Sequence, residues 1–386
     1  MHKKNEKTKS AKQTKRWPKL AALVVIIILI VSLVLIWKTD LLAMLSPREE
    51  LTRLEAALAV PDEQNAALIY EDLLKMLPSD IEEPLFFTTT LPSSLDKSWR
   101  SKDHLETKTF IQKHQTIIDT LLMVSDLKNC RFSLYIGSSR RTSNFDKRIE
   151  LLSNIRKFAR ILVSSANNDL AESRIDSAFE KYLCIFRMSK HFQQQPVIID
   201  HILGVGLEEL AIKNIKTFIL KDYADESHLK TVENSVHINE DWDKKIQLIK
   251  KVEKLNTLSE SNDTITNIYN ILFVSSDAIE SAYKRIHRFH QQLLTDKRGL
   301  RLIVALKRYK NQTNHWPQSI LKLKSLLPEK TFLDAYGSPF VYEQIDGDFK
   351  LYSKGENKID ENGQGYDPDM EEGNFDDLLI WPQKSY

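Results

Sequence analysis

The chain has 386 residues, with 55 Lys and Arg against 53 Asp and Glu and only two cysteines. Eight of the basic residues and one acid lie in residues 1–19, so the rest of the chain holds 47 basic and 52 acidic residues. A mildly acidic body is a poor partner for nucleic acid, which needs concentrated Lys and Arg. Two lone cysteines are also too few for a thiolate metal site.

Residues 1–19 form a basic tail, with Lys3, Lys4, Lys7, Lys9, Lys12, Lys15, Arg16 and Lys19 against Glu6. Leu20–Trp37 follows as a continuous apolar run broken by Ser32. Its length suits one helical crossing of a bilayer. No small-x-small cleavage site follows, so the run reads as an uncleaved signal anchor rather than a signal peptide. The basic tail meets anionic headgroups and stays in the cytoplasm, which sends the body outward.

Leu41, Leu45, Leu51, Leu54 and Leu58 recur at helical spacing. Ser46-Pro47-Arg48-Glu49 reads as a helix start, with Ser as cap and Pro in the first turn. A second helix follows Pro61 and reaches about Leu77. Residues 78–100 hold Pro78, Pro84, Pro92 and a threonine run, so a loop is expected. Periodicity resumes from about Lys102 to Asn129, and another loop is expected over 131–146. Three amphipathic helices come next, over Phe145–Ala166, Leu170–His191 and Pro196–Leu220. The first two are parted by an expected turn at Asn167-Asn168-Asp169. Their short connections imply an antiparallel bundle or a short solenoid. Two further helices are expected near 239–257 and 263–312. Cys130 and Cys184 are either one disulfide or two separately buried thiols.

The composition changes near Asn311, and six of the ten glycines lie beyond it. Phe340–Gln344 and Phe349–Ser353 flank Asp346-Gly347-Asp348, the pattern of a β-hairpin. Leu378–Trp381 reads as a last strand. Here Ala305–Lys310, His315-Trp316-Pro317 and Leu333-Asp334-Ala335-Tyr336-Gly337-Ser338-Pro339 resemble the C-terminal region of the major pseudopilin of type II secretion. The likeness covers about 80 residues and ends on Asp376-Asp377-Leu378. The whole chain also resembles membrane-anchored proteins typical of Planctomycetes-like bacteria, which share this ending and a helical middle. The apolar run lacks the pilin's glycine cleavage point and its glutamate, so filament assembly is not implied.

The resemblance implies a calcium site in the acidic loop before the last strand, with Asn357 and Asp377 at ligand positions. Nine carboxylates against Lys358 lie between Gly355 and Ile380, and calcium takes hard oxygen ligands in loose geometry. Asp360, Asp367, Asp369 and Asp376 are the further candidate ligands. A solvated acidic loop is the plain alternative. No His-Glu-x-x-His, Gly-x-Ser-x-Gly or P-loop occurs. Gly204-Val205-Gly206 sits within a helix and is no nucleotide fingerprint. His287 and His290 share a helix face that reads as solvated and basic, and His191 and His201 read as structural.

The expected fold is therefore mainly α. It comprises a transmembrane helix (20–37), an extracytoplasmic helical bundle or solenoid (41–295), and a small α+β, pilin-like subdomain with an antiparallel sheet (296–386). The expected role is a membrane-anchored scaffold or protein-interaction module of the bacterial envelope, near a secretion system, whose partners are the bilayer and envelope proteins. An anchored envelope hydrolase with a site built from scattered side chains is the alternative.

Overall fold

The computed structural model describes residues 46–75, 92–135, 143–238, 242–259, 276–365 and 375–382. The expected transmembrane run lies outside them, and among the described residues no helix is long and apolar enough to cross a membrane. The chain is mainly helical with one small three-stranded antiparallel sheet near its C-terminus.

The helices are α1 (Pro47–Leu58), α2 (Ala66–Lys75), α3 (Pro92–Asp96), α4 (Leu105–Lys113), α5 (Gln115–Ser125) and α6 (Ser143–Ala171). They continue with α7 (Ile175–Gln193), α8 (Ile198–Leu220), α9 (Glu226–Ser235), α10 (Trp242–Ser259) and α11 (Ser276–Thr313). Apolar residues three and four apart on α6, such as Leu151, Leu152, Ile155, Phe158 and Leu162, are all buried. They pack on α7, which lies between α6 and α8 and presents buried Tyr182, Phe186 and Phe192. Burying one such side chain contributes roughly 1.5–3 kcal/mol.

Several expected boundaries move, each for a visible reason. The expected turn at Asn167-Asn168-Asp169 is helix, because these polar side chains have buried partners. Asn167 Nδ2 donates to the carbonyls of Ser94 (2.8 Å) and Leu95 (2.9 Å), and Asn168 Nδ2 donates to that of Trp99 (3.0 Å). Asp169 binds Arg174 at 2.7 Å and also Lys181. The chain turns later, at Ser173, with φ of 63°. Part of the expected 78–100 loop is the short helix α3, two of whose carbonyls Asn167 holds. The helix expected over 102–129 breaks at His114, whose φ and ψ of −102° and 18° leave the helical region. Its Nδ1 lies 2.7 Å from the Phe110 carbonyl. Ser46 stands before α1 but its side chain makes no cap bond.

α11 is 38 residues long and passes without a break through the boundary expected at 295/296. It packs on α8 and α9 and also on the sheet, so one continuous core runs from Ala66 to Ile380. Strands β1 (Val341–Ile345), β2 (Asp348–Ser353) and β3 (Leu378–Trp381) form the sheet in that order, with β2 central. The hairpin turn is Asp346-Gly347, both at positive φ, and it sets the pairing of Ile345 with Asp348. Ile380 of β3 is fully buried against Gly299 of α11, where a Cβ would meet its Cγ2 at 2.6 Å.

The cysteines are two free, buried thiols rather than a disulfide. Cys184 Sγ donates to the Leu121 carbonyl at 3.3 Å, and burial pushes its pKa up to about 12. Burial raises Cys130 as well. Both thiols are therefore expected to resist iodoacetamide in the native protein and to react fully in denaturant. A 130–184 cross-linked peptide in a non-reducing digest would contradict this.

Candidate metal centre

The hairpin and the start of β3 bring two stretches of the acidic loop together. Ligand oxygens of Glu361, Asp376 and Asp377 all lie within 4.8 Å of one another. Backbone amides hold the two aspartates in place. Asp376 Oδ2 accepts from Glu356 N (2.7 Å) and Asn357 N (3.0 Å). Asp377 Oδ2 accepts from Gly363 N (2.7 Å) and Glu361 N (3.0 Å). Each aspartate thus spends one oxygen on the opposite stretch.

Their other oxygens have no such use. Asp376 Oδ1 and Asp377 Oδ1 are both buried without a hydrogen-bond partner, and Asp377 is only 2% exposed. Burial, with the neighbouring Glu361 carboxylate adding, pushes Asp377 up to about 6. A buried, unpaired carboxylate is costly, and a hard cation is the partner that this all-oxygen donor set fits.

The local sequence explains the geometry. At Gly355 φ is 65°, and a Cβ would stand 2.3 Å from the Asp376 carbonyl oxygen. Gly355 N donates to Ser353 Oγ (3.1 Å), which donates to Asp334 Oδ2 (2.6 Å). Asp334 is fully buried, and its Oδ1 accepts from Tyr336 N (3.0 Å) and Ser338 N (2.8 Å). The Asp334–Pro339 stretch therefore fixes the base on which the acidic loop stands.

Of the ligands expected from the sequence, Asp376 and Asp377 are brought together. Asn357 is adjacent, with Nδ2 donating to Glu361 Oε1 (2.6 Å) and Oδ1 accepting from Ile359 N (2.6 Å). Asp360 faces away. It accepts from Tyr352 OH (2.8 Å) and pairs with Lys354 (3.2 Å), and the tyrosine bond holds its carboxyl below the usual range. Asp367 and Asp369 lie outside the described residues. Glu361, which the sequence reading does not single out, takes the third corner. Its signal is the left-handed pair Asn362 and Gly363, with φ of 58° and 73°, which turns the chain back towards Asp377.

No family model matches this chain, and neither does any curated protein or solved structure.

The histidines make no second metal cluster among the described residues. His191 is buried between Tyr70 OH (3.0 Å) and the Leu127 carbonyl (2.6 Å). His201 is buried, and burial with the nearby Lys245 pushes it down to about 3. His290 is not on a solvated face. It stacks on Trp242 at 4.1 Å and 14°, beside a cleft of about 420 Å³ that His287 and Arg298 also line. Burial and Lys297 push His290 down to about 4, so its ring is neutral at neutral pH.

Proposed function

We propose that this chain is a single-pass membrane protein with its N-terminus in the cytoplasm of a bacterium and a helical body outside. The body acts as an envelope scaffold or protein-interaction module, and calcium fixes its pilin-like C-terminal sheet. The observation that carries the calcium part is the buried, unpartnered Asp377 Oδ1 beside Asp376 and Glu361. The pseudopilin resemblance, which puts Asp377 at a ligand position, supports the same reading. The basic tail and apolar run support the anchored part.

When bound, calcium would offset two of the three carboxylate charges and take the unpartnered oxygens as ligands. The chain's own groups do the rest. Amides of Glu356, Asn357, Glu361 and Gly363 orient the two aspartates. Gly355 lets the loop approach Asp376 closely. The ends of the acidic loop are thereby tied across the sheet and against α11, where Arg288 reaches Glu356 at 3.5 Å.

Calcium is expected to raise the melting temperature of the full chain, by the equivalent of about 2.7 kcal/mol at a hundredfold excess over Kd. Asp377→Ala should remove most of that shift. Asp360→Ala should leave it, because Asp360 is committed to Tyr352 and Lys354. Wild-type melting curves that calcium leaves unmoved would overturn the calcium assignment.

A further inference from the structure

α10 carries a basic outer face on an apolar inner one. Ile249, Val252 and Leu255 are buried, which fixes the helix's rotation. Lys244, Lys251 and Lys254 are then exposed. Lys250 lies over the Tyr283 ring of α11 at 4.8 Å, and Lys284 and Arg285 are exposed beside it. The acids within α10 are Asp243 and Glu253. Glu253 turns inward to accept from Ile198 N at 2.7 Å, which leaves Asp243 exposed at the helix start. Glu50 of α1 binds Lys251 at 2.7 Å. These bases share one face in a body whose overall balance is acidic.

The position of this face is as telling as its charge. α1 lies against α10, with its start beside the end of α10, where Arg48 Nε donates to the Ser259 carbonyl at 3.2 Å. Nine residues, 38–46, separate α1 from Trp37 at the end of the apolar run. Fully extended, they reach about 30 Å. The Ser259 end of α10, with Lys254 one turn back from it, is thus tethered within reach of wherever that run is held.

We propose that the basic face of α10, with Lys284 and Arg285 of α11, docks on the anionic headgroups of the bilayer that holds the chain's own apolar run. The proposal rests on the anchored reading of residues 20–37. Lysines near an anionic surface strengthen association about fivefold each, and salt screens the effect. The apolar run holds the protein in the membrane, and the lysines set how the body sits on it.

The test uses the full chain reconstituted into vesicles of phosphatidylcholine alone or with added phosphatidylglycerol. A fluorophore is placed at Gln247→Cys, an exposed site between Lys244 and Lys251. The native cysteines are buried and remain unlabelled. Quenching by a headgroup nitroxide lipid is expected to be several-fold greater with phosphatidylglycerol, and to fall as salt rises. Lys244→Glu with Lys254→Glu should reduce it to the phosphatidylcholine level, while the two Lys→Arg changes should preserve it. Equal quenching on both bilayers, unmoved by charge reversal, overturns the docking. Flotation in alkaline carbonate reads the anchor separately. A chain that floats with both vesicles yet shows no charge-dependent quenching keeps its anchor and loses the docking. A chain that floats only with anionic vesicles at low salt loses the anchor and keeps the docking.

Discussion

Asp200→Asn is expected to gain about 2 kcal/mol of stability relative to wild type as pH rises from 4 to 8. Asp200 is fully buried on α8, and both its carboxylate oxygens lack hydrogen-bond partners. Burial pushes its pKa from 3.8 up to about 6, against the pull of Arg148, whose Nε lies 3.7 Å away. Glu253 of α10 adds a second acid nearby, itself pushed up to about 7. A raised acid favours the folded state while it is protonated. That contribution is complete below the unfolded pKa and is lost as pH rises through about 6. Asparagine carries no charge to lose, so the two proteins should differ least at pH 4 and most at pH 8. Arg148 is not stranded by the change. Its Nη2 donates to the Ser133 carbonyl at 2.5 Å, and its guanidinium lies 4.7 Å over the Phe132 ring. Denaturant unfolding at the two pH values measures the difference. A constant gap would show that Asp200 stays ionised in the fold.

The second large effect separates two glycines that lie two residues apart on α8. Gly204 faces α7, and a Cβ there would meet Gln193 N at 2.6 Å and the Ser189 carbonyl oxygen at 2.8 Å. Both are backbone atoms, so the helices themselves must part. Overpacking of this kind costs about 1–3 kcal/mol or more, and it outweighs the roughly 1 kcal/mol that alanine gains over glycine in a helix. Gly204→Ala should therefore lower the denaturation midpoint. At Gly206 nothing lies within 4 Å of the added carbon. Gly206→Ala should raise the midpoint by the equivalent of up to about 1 kcal/mol. Two shifts of the same sign would contradict the packing of α7 on α8.

The same pair of glycines shows what a sequence can and cannot say. Gly204-Val205-Gly206 is legible as helix and as no nucleotide motif, but which glycine faces a neighbour depends on packing. Helical periodicity locates α6 and α7 because one face of each is apolar, whereas α8 is apolar on nearly all sides and is buried accordingly. Periodicity failed at Asn167-Asn168-Asp169, where polarity marks hydrogen bonds to the backbone around α3 and Trp99 rather than a turn. Asp346-Gly347 marks its hairpin, because the type I′ two-residue turn needs positive φ at both positions. In the acidic loop, counting oxygens found Asp376 and Asp377. Side-chain direction is not legible in the sequence, so Asp360 reads as a candidate ligand although Tyr352 and Lys354 engage it, and nothing in the spacing marks Glu361. His290 read as part of a basic face, because its stacking on Trp242 joins two helices far apart in the chain.

Hydrogen exchange of the full chain, with and without calcium, tests the carboxylate cluster most directly. The amides of Glu356, Asn357, Glu361 and Gly363 donate to Asp376 and Asp377, so a bound cation should slow their exchange strongly. Asp377→Asn, which keeps the shape and removes the charge, should abolish the slowing and leave the amides of α7 and α8 unchanged. If calcium slows these four amides equally in wild type and Asp377→Asn, or in neither, the cluster is only a solvated acidic loop, and the calcium-fixed sheet is contradicted.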